Sequence, residues 1–217
     1  MLQSETSTGK PLAIGDPYQG GILAHILQSG DPGYVAGETH GLIAATADQD
    51  GGTGIPWSIE GMRVTGGTAT ALGTGSTNTT RIIRSQGSPA TSYAAGLARA
   101  CTDGGYNDWY LPSRDELNKL YLNRDAIGGF DTTSNPWYWS SSELELVPSS
   151  AWYQGFDDGN QASTASSTRT GCVLSGLFDN SSIQLFNRGV QGAFAPCSRN
   201  HPWLSTTICP CTRTSTA

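Results

Sequence analysis

Cysteine and histidine are the residue types of this 217-residue chain that could ligate a metal or serve as nucleophile and base. The chain has five cysteines, and four of them fall near its C-terminal end: Cys172, Cys197, Cys209 and Cys211. Zinc sites usually pair their cysteines at a C-x₂₋₄-C spacing, whereas only Pro210 separates Cys209 from Cys211. Disulfides in an exported domain are the favoured interpretation, ahead of a metal site that includes His201. The odd number, with Cys101 far from the rest, leaves at least one thiol free or paired between chains.

Two short polar motifs could carry acid–base or nucleophilic chemistry. Asp115 and Glu116 follow Ser113 in the Ser-x-x-Glu pattern of a capping box, at a helix start where the dipole favours anions. We interpret them as helix-capping residues rather than catalytic acids. The run Ser140–Glu143 is interpreted as a structural turn with buried hydroxyl hydrogen bonds. A serine nucleophile would need a histidine base, and no Gly-x-Ser-x-Gly motif is present. The sequence therefore predicts no catalytic residue, and we expect the chain not to be an enzyme.

Composition and charge argue against several classes of protein. The net charge is −6 and the pI is near 4.9, which argues against a general nucleic-acid binder. No window of about 18 apolar residues occurs, so no membrane insertion is predicted. The six tryptophans and eight tyrosines indicate a folded domain, because these rings need burial or a ligand. Only 14% of the residues are charged and 28 are glycine, a profile common among secreted or surface β-rich proteins.

Hydrophobic periodicity predicts two main helices. Apolar residues recur at four-residue spacing in Ser92–Cys101, and Gly104 follows as a stop signal. The second helix is predicted over Arg114–Asp125, directly after the Ser113 cap, with Leu117 on its apolar face. These are the elements that must position the capping motif.

Short apolar or aromatic runs predict strands, which are Ile22–Leu27, Gly41–Ala45, Trp137–Ser140 and Ala151–Phe156. The first two are expected to pair as a β-hairpin, and Asp157–Asn160 carries a hairpin turn signal. Residues 66–80, almost entirely Gly, Thr, Ala, Ser and Asn, are predicted to be a surface loop. Two helices within a β framework predict the α+β class, in a single domain with a twisted, mostly antiparallel sheet.

Three segments stand in a distinctive order and spacing: GYNDWYLPSRDEL at Gly105–Leu117, YWSSSE at Tyr138–Glu143, and AWYQGF at Ala151–Phe156. With upstream matches such as GLIAAT at Gly41–Thr46, they resemble the C-terminal domain family of the Legionella collagen-like adhesin (Lcl). The resemblance covers about residues 14–161, and the tail after about residue 170 departs from it. It implies a C-type-lectin-like fold, which is related to the variable ligand-binding proteins of diversity-generating retroelements.

The expected domain organisation follows from the sequence ends. The first residues lack the basic and apolar segments of a secretion signal, which fits either a cytosolic chain or a domain cut from a longer precursor, and we favour the second. Residues 1–13 are predicted to be a disordered lead or the remnant of a stalk. Residues 14–217 are predicted to be one C-type-lectin-like ligand-binding domain, located outside the cell or on its surface.

The resemblance implies an extracellular adhesin head that takes part in cell adhesion and biofilm. It would be displayed as a homotrimer on a collagen-like stalk and would bind sulfated glycosaminoglycans or similar polyanionic glycans. The cations of this chain are ten arginines and two lysines, and arginine matches sulfate with a bidentate fork. Seventeen of the eighteen acids lie before residue 160, so the later part is net positive. Its Arg169, Arg188 and Arg199 are the predicted polyanion-binding residues.

An alternative is a retroelement-diversified receptor whose ligand face varies. In that case Trp152, Tyr153 and Phe156, with Asn160 nearby, are expected to be exposed and to contact a protein or a sugar. Large rigid rings give contact area at low entropic cost. Trp152, Tyr153 and Asn160 are therefore also predicted as ligand-binding residues.

Two further hypotheses are less favoured. No cofactor is expected. Asp157, Asp158 and Asn160 could offer oxygens to Ca²⁺, but a tight turn explains them more simply. An enzyme of the formylglycine-generating type would need a reactive pair such as Cys172 and Cys197, and nothing matches the active site of that family.

Overall fold

The structure is a computed structural model that describes residues 11–59, 64–87, 90–134, 136–147, 150–165 and the backbone of 177–179. All of them lie in the first of the two compact units of the chain, residues 1–186. Most of the predicted N-terminal lead lies outside the described residues, and the predicted domain boundary at residue 14 stays a prediction.

Two antiparallel sheets form the β framework. The larger sheet has the order β1-β2-β3-β8-β4, with strands Pro17–Tyr18 (β1), Gly21–Ile26 (β2), Gly41–Ala44 (β3), Leu177–Asp179 (β8) and Trp109–Tyr110 (β4). The smaller sheet has the order β5-β6-β7, with strands Trp137–Glu143 (β5), Ser150–Gly155 (β6) and Gln161–Ala165 (β7). Four α-helices accompany them among the described residues: Gly75–Gln86 (α1), Ala94–Ala100 (α2), Arg114–Leu122 (α3) and Arg124–Ile127 (α4). The α+β class with antiparallel sheets is confirmed, and the C-type-lectin-like fold stays a prediction.

The predicted N-terminal hairpin is confirmed. Strand β2 pairs antiparallel with β3, with Ile22 opposite Ala44, and a bulge falls between Leu23 and His25. Every residue of β3 is buried, as is expected of an apolar run without alternation. A side chain at Gly41 would collide with the carbonyl oxygen of His25, so the tight pairing requires glycine there.

The predicted helices 92–101 and 114–125 are confirmed as α2 and α3. Helix α3 begins with a complete capping box, because Ser113 Oγ accepts from Glu116 N and the Glu116 carboxylate accepts from Ser113 N. The helix ends at Leu122, three residues earlier than predicted, and α4 follows directly. Leu117 and Leu120 are fully buried and anchor α3 in the apolar core.

Helix α1 corrects the sequence prediction. The predicted surface loop 66–80 is wrong for residues 75–80, which form the first half of a twelve-residue helix. Its buried face carries Asn78, Thr79 and Ile82. Asn78 Nδ2 donates to Ala69 O at 2.6 Å, and Thr79 Oγ1 accepts from Leu111 N at 3.1 Å. The loop prediction rests on the Gly, Thr, Ala, Ser and Asn content of the segment, whereas Asn78 and Thr79 are buried because they hydrogen-bond backbone outside the helix.

The serine run corrects a second prediction. Ser140, Ser141 and Ser142 lie within strand β5 instead of a turn, and all three are fully buried. The predicted hydroxyl hydrogen bonds are confirmed: Ser140 Oγ donates to Trp152 O at 2.9 Å, and Ser142 Oγ donates to Ala69 O at 2.8 Å. The Ser140 bond joins β5 to β6, and the Ser142 bond fastens the small sheet to the loop before α1.

Tryptophan forms much of the core. Trp57, Trp109 and Trp139 are at most 1% exposed. Each indole N–H donates to a backbone carbonyl, at 2.7 Å from Trp57 to Ser140, 3.3 Å from Trp109 to Asp103 and 3.0 Å from Trp139 to Ile55. A buried indole N–H without a hydrogen bond would destabilise the fold, and these carbonyls supply the acceptors.

Among the described residues no helix is both long and apolar enough to span a membrane.

We predict that Ser113→Ala lowers the free energy of unfolding by about 1–2 kcal/mol, because it removes the N-cap oxygen of α3. Thermal denaturation should show a shift of about 2–8 °C. Ser76→Ala is the matched control, since this α1 serine makes no side-chain hydrogen bond among the described residues. Equal melting temperatures for the two variants would contradict a stabilising cap.

Candidate functional site

The predicted ligand-binding residues divide into two groups. Trp152, Tyr153 and Asn160 are described by the structure. The following lie outside the described residues: Arg169, Arg188, Arg199, Cys172, Cys197, Cys209, Cys211 and His201. The predictions on those residues stay predictions.

Trp152 and Tyr153 do not form one aromatic face. They are neighbours in strand β6, where successive side chains point to opposite sides of the sheet. Trp152 packs against Arg114 of α3, whereas Tyr153 packs against two tryptophans of β5. The prediction that Phe156 is exposed is wrong, since its ring is fully buried against Tyr138 and Phe130.

One side of the small sheet carries a surface that we name the Trp152 platform, formed by Arg114, Asp115, Asn118, Trp152 and Gln161. The Arg114 guanidinium lies over the Trp152 ring, 5.0 Å from its centre. Its Nε and Nη2 both donate to Asp115 Oδ1 at 3.2 Å. The side chains of Arg114 and Asp115 are 32% and 44% exposed, so this pair is open to solvent.

Side-chain amides hold the platform in place from below. Gln154 is fully buried, and its Nε2 donates to Asn118 Oδ1 at 2.9 Å and to Gly159 O at 3.1 Å. Gln161 Nε2 donates to Gln154 Oε1 and to Arg114 O, both at 3.2 Å. The network connects α3 to strands β6 and β7. It therefore positions the Asn118 and Gln161 side chains of the platform.

Tyr153 belongs to the opposite side of the sheet. Its ring makes edge-on contacts with Trp137 at 5.2 Å and with the buried Trp139 at 5.9 Å between ring centres. Trp137 and Tyr153 are half-buried. Tyr153 packs at the margin of the core that α1 and α2 share with Trp139.

The turn between β6 and β7 contains the residues considered for Ca²⁺. The predicted hairpin is confirmed, and Asp158 Oδ1 accepts from Asn160 N at 2.9 Å. Gly159 has a φ of +79°, and a side chain there would meet the Tyr121 ring at 2.5 Å. Within the described part of the chain, no three His, Cys, Asp or Glu residues lie close enough together to hold a metal ion. The Ca²⁺ site stays a prediction.

The Cys101 thiol and the Glu116 carboxyl are both buried, and burial changes the pKa of each. Burial raises the pKa of the Cys101 thiol, which disfavours the reactive thiolate. Burial likewise raises the pKa of Glu116 to about 7, although N–H donors from Ser113 and Gly73 oppose this shift. Glu116 Oε1 accepts from Gly73 N at 2.8 Å and Oε2 accepts from Ser113 N at 2.6 Å. Its role as a capping residue is confirmed.

Sequence reasoning missed the arginines of α1. Arg81 and Arg84 are exposed and stand three residues apart, on neighbouring positions of one helix face. Arg81 Nη1 donates to Gly66 O at 2.9 Å, and Arg99 of α2 reaches Thr80 Oγ1 at 3.5 Å. The signal was present in the sequence: between Glu60 and Asp103 there are four arginines and no acid.

The sequence model of the Lcl C-terminal domain matches residues 47–174, which is more than half of the chain. The chain belongs to the Lcl C-terminal domain family. The predicted resemblance is thereby confirmed, and the match includes α1, α3 and the small sheet that carries the platform. The family is adhesin-like, which suggests a surface or extracellular protein. No curated protein matches the chain.

We predict that stability decreases as the pH rises through 7. The folded-state pKa of Glu116, about 7, lies above its ordinary value of 4.5, so the folded state binds the proton more tightly. The resulting stabilisation is complete below pH 4.5 and is lost above 7, a difference of roughly 3 kcal/mol.

Urea denaturation of the wild type and of Glu116→Gln between pH 4 and pH 8 measures this effect. The difference in stability between the two proteins should change over that range, because the glutamine does not titrate. Glu145→Gln, at an exposed position, is the control and should keep the wild-type profile. A wild-type profile that is flat or rises across this range relative to Glu116→Gln would contradict the assignment.

Proposed function

We propose that this chain is the head domain of a surface adhesin and binds sulfated glycosaminoglycans or similar polyanionic glycans. Membership of the adhesin-like Lcl family supports an adhesive role. The observation that carries the polyanion assignment is the segregation of charge. The chain is acidic overall, with a net charge of −6, yet residues 61–102 hold four arginines and no acid.

The described part of this basic segment supports a polyanion contact. Arg81 and Arg84 project from helix α1, whose residues include no Asp or Glu. The absence of acids from helix α1 itself reduces the repulsion that the net charge would otherwise impose on a sulfate at short range. Each exposed guanidinium can grip a sulfate with two parallel hydrogen bonds. The predicted arginines 169, 188 and 199 would extend this contact.

We propose further that the head is a homotrimer and that it binds its ligand without catalysing a reaction. Three copies of one weak arginine site on a repetitive polymer would raise the apparent affinity by about 10²–10⁴. Such multivalency suits a polyanion with regularly spaced sulfates. The alternative of a diversified receptor with one aromatic face is less favoured, because Trp152 and Tyr153 point to opposite sides of their sheet.

The double variant Arg81→Gln/Arg84→Gln should bind immobilised heparin about tenfold more weakly, since each exposed ion pair contributes about 0.5–1 kcal/mol. Salt-gradient elution from a heparin column and surface plasmon resonance measure this. Lys119→Gln/Arg124→Gln makes the same change in net charge on α3 and α4 and is the matched control. If both variants lost the same heparin affinity, net charge alone would explain the effect, and the α1 site would be overturned.

The predicted tail residues are tested separately. Arg188→Ala/Arg199→Ala should also lower the salt concentration needed for elution from heparin, because two cations that contact sulfate are removed. Retention unchanged from wild type at low salt would exclude these two residues from the site. Sedimentation of the untreated chain reports the oligomeric state, and a monomer at the concentrations used would contradict the trimer.

A further inference from the structure

Trp152 differs from the tryptophans of the core. Trp57, Trp109 and Trp139 are buried, and each satisfies its N–H with a backbone carbonyl. Trp152 is half-buried, and its indole N–H has no acceptor among the residues that the structure describes. A large ring kept at the surface with an unused donor is typical of a recognition site.

Several hydrogen-bonding atoms of the platform have no partner among the described residues. Asp115 Oδ1 accepts both bonds from Arg114, which leaves Asp115 Oδ2 and Arg114 Nη1 without a partner in the described part of the chain. Asn118 uses its oxygen for Gln154, and Gln161 uses its nitrogen for Gln154 and Arg114. The Asn118 amide nitrogen and the Gln161 amide oxygen stay available. The platform thus offers both donors and acceptors, and its aromatic ring lies under Arg114.

The charge of this surface selects the class of ligand. Arg114 and Asp115 neutralise each other, so the platform has no net charge. A sulfated ligand would meet the open Asp115 oxygen and be repelled, which separates this surface chemically from the arginines of α1. A pyranose hydroxyl both donates and accepts, and the C–H face of a sugar ring packs on an aromatic ring.

We propose that the Trp152 platform binds a neutral sugar residue of a glycan, in a site distinct from the polyanion contact. The bound sugar lies against the free part of the Trp152 ring, and its hydroxyls bond Asp115, Arg114 Nη1 and the amides of Asn118 and Gln161. The buried Gln154 holds the Asn118 and Gln161 amides, and Asp115 holds the Arg114 guanidinium, so less side-chain entropy is lost on binding. The proposal does not depend on polyanion binding, because it uses other residues.

Two-dimensional ¹H–¹⁵N NMR of the full chain tests the proposal with four probes: the methyl glycosides of glucose, galactose, mannose and N-acetylglucosamine. At least one should shift the indole N–H resonance of Trp152 with a Kd of about 1–10 mM, the range of a single small contact. The shift should persist in 0.5 M NaCl and in a chelator, because the neutral sugar forms no ion pair with the protein and needs no metal.

Variants locate the contact. Trp152→Ala should abolish the perturbation of the remaining platform resonances, and Asp115→Ala should weaken binding at least fivefold. Trp137→Ala removes the other half-buried tryptophan of the small sheet and should bind like wild type. The dispersion of each spectrum reports whether the variant is folded. Absence of any shift with all four glycosides, or unchanged binding by folded Trp152→Ala or Asp115→Ala, would overturn the site.

The test also separates this site from the proposed function. Heparin binding by folded Trp152→Ala should equal that of wild type, and glycoside binding by Arg81→Gln/Arg84→Gln should be unchanged. If the protein binds heparin but none of the glycosides, only the proposed sugar site at the Trp152 platform is refuted. A chain that binds a glycoside but not heparin refutes only the polyanion contact.

Discussion

The buried carboxylate of Glu116 is the contact on which the positions of α1 and α3 depend. One oxygen accepts from Ser113 N at the start of α3, and the other accepts from Gly73 N in the turn before α1. Gly75, the first residue of α1, has no room for a side chain because Glu116 Oε2 lies beside it. One carboxylate therefore joins the starts of two helices. The arginines of α1 and the Arg114–Asp115 pair of α3 stand at fixed places as a consequence.

The sequence predicted the elements whose formation depends on nearby residues or on apolar runs. The capping box at Ser113 and the hairpin of β2 and β3 were readable, because their hydrogen bonds join residues close in sequence or follow apolar runs. Helix α1 and the serine run of β5 were not, since buried polar groups in both bond residues far along the chain: Thr79 bonds Leu111, and Ser142 bonds Ala69. Hydrophobic patterning treats a buried hydroxyl as exposed, and only the tertiary partner reverses that conclusion.

The candidate sites follow the same division. Trp152 was predicted as a ligand-binding residue from its type, but the side of the sheet that it faces depends on strand register. Its neighbours Arg114 and Asp115 were interpreted only through the helix cap, because nothing in the sequence shows that α3 lies beside β6 and β7. The arginines of α1 were hidden by a segment predicted as loop. Because no helix was predicted there, the sequence did not show that Arg81 and Arg84 share one helix face.

Strand β8 has a consequence for the order in which the molecule can assemble. It lies between β3 and β4 in the larger sheet, with residue 178 opposite both Ile43 and Trp109. During synthesis the edges of β3 and β4 therefore wait, unpaired, until the ribosome has added more than sixty further residues after Trp109. Such late, long-range pairing slows folding and leaves open edges on the nascent chain. A chaperone that covered the unpaired edges of β3 and β4 until β8 is synthesised would reduce the risk of aggregation.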